Sequence, residues 1–199
     1  MRKTQILESD ILEIDEYIKN RNEIKKNISF IKKDRRIYVG PHATFIFENY
    51  ETMHFQIQEM IFIERGGKEQ LLDELKAYNP LVPKGDELVA TLMFEIADEL
   101  RRKEFLHAVG GIENKIYIQI ADGKKIFAVP EGDTERTNEK GKTSSVHFLH
   151  FNFNDEEIIS FNDPKNKVLL GFEHEKYEHM TILTMEQRKS LNKDLFKEI

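Results

Sequence analysis

The side chains best suited to chemistry in this sequence lie within one mainly apolar stretch, VGPHATFIFENYETMHFQIQEM, at positions 39–60. The polar residues of interest there are His42, Glu48, Thr52, Gln56 and Glu59. Glu59 is the most informative, because a carboxylate almost never enters a protein core without a partner. These five residues are therefore our candidate ligand-binding residues.

Two interpretations of this cluster are open. In the first, Glu59 is a general base or ligand with a raised pKa, and His42 exchanges its proton. In the second, Gln56 and Glu59 are structural and pair with nearby backbone or with a single Arg or Lys. A solvent-reachable cavity touching Glu59 and His42 would favour an enzyme, whereas a Glu59 closed against one Arg would favour a binding role.

The motifs of the common catalytic classes are absent from the sequence. There is no cysteine, which excludes disulfides, thiolate nucleophiles and cysteine-ligated zinc or iron–sulfur centres. There is no G-x-S-x-G elbow, no G-x-x-x-x-G-K-[ST] loop and no G-x-G-x-x-G fingerprint. Paired carboxylates remain possible through Glu48, Glu59 and Glu95, and no cofactor is indicated.

Seven histidines raise the question of a metal site. His147 and His150 lie in a β-rich run, where an odd offset points them to opposite faces. If residues 175–178 form a four-residue hairpin loop, His174 and His179 face each other across the two strands. This pair is a weak candidate for zinc or iron, since a convincing site needs three or four placed ligands.

The charge of the chain is unevenly distributed. Residues 19–36 carry a net charge of +6, while the whole chain carries −6 and the remainder therefore −12. This segment is either a patch for nucleic acid or another polyanion, or a solvated helix face. We prefer the solvated face and expect no nucleic-acid partner, because no aromatic residues interleave the charges at stacking positions.

The elements that position the polar cluster are a strand and a helix. Gly40-Pro41 predicts a turn, and the strand that follows places Ala43, Phe45 and Phe47 on one face. The opposite face carries His42, Thr44, Ile46 and Glu48. Asn49 is the predicted N-cap of a helix running from Tyr50 to about Arg65. Its predicted solvent face consists of Glu51, His54, Gln58 and Arg65, and the remaining arc is so apolar that most of the helix must be covered.

Helices and strands occur elsewhere along the chain without strict alternation. Residues 1–34 form a helical segment, of two helices or one bent near residues 20–22, in which Asp10 and Glu13 resemble a capping box. Further helices are predicted at 68–78, 98–109 and 155–161, and a last one begins at Thr184 with Gln187 in its capping box. Strands are predicted at 35–39, 87–96, 115–120, 125–129, 145–153, 167–172 and 179–183, and the strand at 87–96 is expected to be central. Residues 130–143 lack large apolar side chains and are predicted to form a mobile loop.

These elements indicate an α+β fold with a mixed, largely antiparallel sheet, N-terminal helices and several helices packed on the sheet. Residues 1–199 are expected to form a single domain. No segment has the pattern of a signal peptide or a membrane span, so we expect a cytoplasmic protein that does not enter a membrane.

The pattern formed by Gly40-Pro41-His42, Thr44, Phe47-Glu48-Asn49, Thr52 and Gln56–Met60 resembles a bacterial family of unknown function. Tyr78–Leu81 with Pro83, and Glu87-Leu88 with Ala90–Leu92 and Glu95-Ile96, extend the resemblance, which covers roughly residues 12–154. It implies a genomic context, since family members are often encoded beside rubrerythrin and flavin or iron–sulfur oxidoreductases. No residue inherits a role from it. We therefore expect an accessory or binding protein that assists such a redox partner, with an enzyme or metal-dependent protein built on Glu48, Gln56 and Glu59 as the alternative.

Overall fold

The computed structural model describes residues 3–132, 137 and 141–196. Within these residues the α-helices are α1 (Ile14–Lys33), α2 (Tyr50–Glu64), α3 (Gly67–Tyr78), α4 (Glu99–Ala108), α5 (Asp155–Asn162) and α6 (Met185–Leu191). The strands are β1 (Arg36–Val39), β2 (Ala43–Glu48), β3 (Glu87–Phe94), β4 (Ile116–Ile120), β5 (Lys125–Phe127), β6 (Val129–Pro130), β7 (Val146–Asn152), β8 (Val168–Phe172) and β9 (Met180–Ile182). No helix in this part of the chain is long and apolar enough to cross a membrane.

The strands form two sheets, with the orders β1-β2-β3-β7-β6 and β5-β4-β8-β9. The α+β class is confirmed, and β3 is central to its sheet as its nearly continuous apolar sequence predicts. The expected largely antiparallel pairing is also confirmed, and the structure adds that the strands divide between two sheets, with every described pairing antiparallel. The β4–β5 hairpin pairs with β8 and so builds the second sheet.

Two apolar cores hold these layers together. The larger one includes Phe45 and Phe47 from the five-stranded sheet and Ile118 and Phe172 from the four-stranded sheet. The smaller one lies on the other face of the five-stranded sheet, where Met53, Ile57 and Ile61 of α2 pack near Val89 of β3. All six residues of β2 are buried, and Ala43, Phe45 and Phe47 among them belong to the larger core.

Helix α2 begins as predicted but is covered differently. Asn49 Oδ1 accepts a hydrogen bond from Thr52 N at 2.9 Å, which confirms the N-cap. The predicted solvent face is wrong at Gln58, which is only 1% exposed. Its amide bonds Leu12 N and O at 2.9 and 3.1 Å, and His54 Nε2 lies 2.8 Å from Asp10 O. The segment that precedes α1 therefore covers this side of α2.

The N-terminal segment contains one long helix. Helix α1 runs through residues 20–22 without interruption, and Glu13 at its N-cap makes no side-chain capping bond. The predicted Asp10–Glu13 capping box is wrong, because Asp10 instead accepts a bond from Leu7 N at 2.9 Å and closes a short 3₁₀ turn at Glu8–Asp10. Local spacing predicted a helix here but placed its start one turn too early.

The predicted mobile loop at 130–143 is anchored where it is described. Thr137 and Thr143 donate their hydroxyls to the Glu113 carboxylate at 2.7 and 3.1 Å, and Thr143 is buried. Pro130 belongs to β6. Residues 133–136 and 138–140 lie outside the described residues. The assignment of the whole chain to one domain stays a prediction.

Candidate functional site

Glu59, the acid that sequence analysis singled out, is closed into an ion pair with α1. Arg21 donates Nε and Nη2 to the two carboxylate oxygens at 2.7 and 2.9 Å, and the Tyr17 hydroxyl donates to Oε1 at 2.5 Å. The Arg21 guanidinium also lies 4.6 Å from the centre of the Phe62 ring. The Arg21 hydrogen bonds lower the pKa of Glu59 more than burial raises it, and Tyr17 lowers it further. The expected raised pKa is therefore wrong in direction.

Glu48 lies at the end of β2 and has the opposite environment. Its side chain is 4% exposed, faces α2 and stands directly across from Val89 of β3. Oε1 accepts a bond from the Thr91 hydroxyl at 2.7 Å, while Oε2 is buried without a hydrogen-bond partner. No Lys, Arg or His of the described chain forms an ion pair with it. Burial of an incompletely bonded carboxylate is costly, so this atom is the main chemical anomaly of the cluster.

Gln56 and Tyr78 lie on the same side of the sheet as Glu48. The Gln56 side chain acts to lower the pKa of Tyr78. Burial outweighs that effect and raises the pKa of Tyr78, and the negative charges of Glu74, Glu64 and, least, Glu48 add to the rise. Tyr78 ends α3, far from Glu48 in sequence, so strand and helix periodicity could not indicate it.

Thr52 and His42 do not join this group. The Thr52 hydroxyl accepts from Asn49 N at 2.9 Å and donates to Asn49 O at 3.1 Å, which accounts for its burial as part of the helix cap. The His42 ring packs against Phe105 and Tyr177, with ring centroids 5.2 and 6.4 Å apart. His42 precedes the first residue of β2, so the strand alternation that placed it beside Glu48 does not reach it. The predicted proton exchange between His42 and Glu59 has no geometric basis.

The predicted pairing of His174 with His179 is wrong. Strands β8 and β9 pair Gly171 with Met180, two positions away from the register that would bring the two histidines opposite each other. His174 Nε2 lies 3.4 Å from Gly110 O, whereas the His179 ring packs on Tyr177 at 4.6 Å. No group of three or more His, Cys, Asp or Glu side chains among the described residues is arranged to hold a metal ion.

A second charged group, which sequence analysis did not find, lies near the opposite edge of the same sheet. His150 of β7 places Nδ1 2.8 Å from Glu87 and Nε2 2.7 Å from Glu131. Burial lowers the pKa of His150, but the hydrogen bonds and charges of Glu87 and Glu131 outweigh it, so the net shift is upward. The prediction that His147 and His150 point to opposite faces is confirmed, since His147 faces the Phe94 ring. The partners of His150 come from β3 and from the residue that follows β6. Both are distant from His150 in the sequence, so local sequence patterns could not predict the group.

A cleft lies elsewhere, at the junction of α1, α2 and the C-terminal segment. It encloses about 690 Å³, with walls formed by Phe30, Tyr50, Pro83, Lys189 and Phe196. At its floor the Arg35 guanidinium is 1% exposed and forms an ion pair with Asp194. Arg35 also donates to the carbonyls of Phe47, Glu48 and Ser190 at 2.6, 2.9 and 3.2 Å. This arginine joins the end of β2 to the C-terminal segment.

Comparisons with known proteins identify relatives of unknown function. A family model described as "Protein of unknown function (DUF3501)" matches residues 5–195 of the chain. The crystal structure of a novel protein of unknown function from Burkholderia pseudomallei K96243 is similar, with a TM-score of 0.89 and 30% sequence identity. That similarity covers 96% of this chain and 99% of the other. No curated protein matches the chain.

Proposed function

We infer the role of this protein from its own residues and from the family resemblance, because the chain belongs to a family of proteins of unknown function (DUF3501). The expectation of a family of unknown function is confirmed, and the match at residues 5–195 extends beyond the predicted 12–154. We propose that the protein is a cytoplasmic accessory protein that binds and assists a redox enzyme without catalysing a reaction itself.

The observation that carries this proposal is the closed environment of Glu59. A general base must be able to accept a proton from a substrate at hydrogen-bond distance. Both oxygens of Glu59 are occupied by Arg21, and Tyr17 adds a third bond. A carboxylate in this arrangement holds α1 against α2, which supports a structural role for Glu59 and a binding role for the protein.

The redox link and the partner rest on the family resemblance. The proposed partner is a rubrerythrin or a flavin or iron–sulfur oxidoreductase. The chain has no cysteine ligands for an iron–sulfur centre of its own, so in this proposal the redox chemistry belongs to the partner.

Affinity capture joined to cofactor analysis tests the proposal. We expect the tagged protein, captured from its native cells, to co-elute with a protein of the proposed class, recognisable by flavin absorbance or by iron content. The tag alone, expressed and captured in the same way, serves as a control for adhesion to the matrix. Absence of any flavin or iron protein from the captured material would contradict the redox assignment.

A second candidate function is favoured by one observation, the unpartnered Oε2 of Glu48. In this alternative, Glu48 is a ligand or acid–base group, with Tyr78 and Gln56 beside it and Glu59 excluded by its ion pair. Metal analysis of the purified protein separates the two candidates. Stoichiometric metal that is lost in Glu48→Gln would support the alternative in which Glu48 is a metal ligand. Wild-type protein that contains no metal would exclude Glu48 as a metal ligand.

A further inference from the structure

In the folded chain, the basic residues of segment 19–36 fall into two groups, those that form ion pairs and those that do not. Arg21 is bound to Glu59, and Arg35 is bound to Asp194. Four lysines in the second half of α1 form no ion pair with any residue that the structure describes. Together with Phe30 they define the α1 basic face, which consists of Lys25, Lys26, Phe30, Lys32 and Lys33.

This face is compact and has an apolar residue within it. At about 100° per residue, the four lysines project over an arc of about 120°. Phe30 lies about 40° beyond Lys26 on the same surface, and it is 76% exposed. It is the most exposed of the large hydrophobic side chains among the described residues, so its ring is available to insert into a partner. Phe30 also borders the cleft at the junction of α1 and α2.

The charge on α1 reverses along the helix axis. Its first half exposes Asp15, Glu16 and Glu23, which surround the one exposed lysine of that half, Lys19. The basic stretch from Lys25 to Lys33 is only about 12 Å long at 1.5 Å per residue. An extended nucleic acid following the helix would meet the acidic half and would find no row of aromatic residues for base stacking. A small acidic protein surface fits this pattern better.

We propose that the α1 basic face is the docking surface for the partner, and that it recognises an acidic protein patch with an apolar side chain at its centre. The proposal rests on the accessory function proposed above and adds the surface through which it acts. The lysines select a negatively charged surface and accelerate its approach. Phe30 and the adjoining cleft then receive the apolar side chain, which supplies the anchor of the interface.

Binding of synthetic probes tests the surface without knowledge of the partner. The first probe is a short labelled peptide of glutamates with leucine at every fourth position, and the second has serine in place of each leucine. A single-stranded oligonucleotide of equal charge is the third. We expect the leucine peptide to bind several-fold more tightly than the other two, and added salt to weaken its binding because exposed charges are screened.

Variants then locate the binding on the protein. The double variant Lys26→Gln with Lys33→Gln should lower the affinity for the leucine peptide by about 2- to 30-fold, the range for two exposed ion pairs. Phe30→Ala should abolish the advantage of the leucine peptide over the serine peptide. The matched controls are Lys103→Gln with Lys165→Gln, and Leu100→Ala, since these lysines are exposed on other elements and Leu100 is 73% exposed on α4.

The outcomes separate this proposal from the proposed function. Preference for the oligonucleotide, equal losses in the control variants, or no peptide binding would overturn the docking surface. If a redox partner is still captured in such a case, the accessory function stands and acts through another surface. If the peptide binds the α1 basic face but no redox protein is captured, the docking surface stands and the redox assignment fails.

Discussion

At the scale of single residues, Glu48 of β2 and Glu59 of α2 show how differently a sheltered carboxylate can be accommodated. Glu59 has a bidentate arginine and a tyrosine hydroxyl. Glu48 has one threonine hydroxyl and a free oxygen. Only the need for a partner is visible in the sequence. The sequence does not show which glutamate has a partner, because Tyr17 and Arg21 reach Glu59 from a different helix, α1.

Removal of the Glu59 carboxylate should destabilise the fold. Glu59→Ala leaves Arg21 and the Tyr17 hydroxyl without their acceptor, and we expect a loss of about 1–3 kcal/mol in the free energy of unfolding. Urea denaturation of wild type and variant measures it, with Glu104→Ala on the exposed surface of α4 as the control. Unchanged or increased stability would contradict the structural role and point to a functional, strained position.

Protonation of His150 should stabilise the sheet edge over a defined pH range. Its pKa is raised above the ordinary value of 6.5 by Glu87 and Glu131. Because the folded pKa exceeds the unfolded one, the stabilisation is fully present below about pH 6.5 and is lost as the pH rises through the folded pKa. Histidine NMR titration should show the raised pKa, and Glu131→Gln should lower it. A His150 pKa that is unchanged in Glu131→Gln, or that responds equally to Glu173→Gln, would contradict this.

At the scale of elements, local chemistry accounts for much of what was predicted. The caps Asn49 and Thr184, the turn near Gly123 and the alternation along β2 each depend on residues within a few positions, and all are observed. The errors arise where a distant segment intervenes. Gln58 was assigned to solvent because the helix pattern cannot show that the backbone at Leu12 lies against it. The β8–β9 register was misjudged because loop length alone does not determine strand pairing.

The N-cap of α2 offers a direct test at this scale. Asn49→Ala removes the acceptor for Thr52 N, and we expect a loss of about 1 kcal/mol in the free energy of unfolding. Asn49→Asp is the matched control, since aspartate caps a helix about as well as asparagine and should retain most of the stability. Equal losses in both variants would show that the amide NH₂ of Asn49, rather than its cap oxygen, is what matters.

At the scale of the whole molecule, Arg35 connects parts of the chain that sequence analysis treated separately. It was counted there as one cation of a basic segment. In the fold it is 1% exposed and satisfies three carbonyls and Asp194, which lies 159 residues away. The spacing of charges gives no information on contacts over such a separation. For the same reason the division into two sheets and the joint position of Glu48, Gln56 and Tyr78 could not be predicted.

Removing one charge of the buried Arg35–Asp194 ion pair should lower the free energy of unfolding far more than replacing both residues with apolar ones. Arg35→Met removes the buried ion-pair partner that Arg35 provides to Asp194, and we expect a loss of about 3–5 kcal/mol in the free energy of unfolding. The double variant Arg35→Met with Asp194→Leu removes both charges and should recover part of that loss. Denaturant titration of the three proteins measures the coupling. A double variant less stable than the single one would contradict the account.

The position of Arg35 also determines the order in which the protein can mature on the ribosome. Asp194 and the carbonyl of Ser190 are synthesised long after the end of β2, whose carbonyls Arg35 also bonds. Until they emerge, withdrawing the guanidinium from water would leave a bare charge in a nonpolar setting. A nascent chain therefore keeps this contact open, and the contact can close only after residue 194 has left the ribosome.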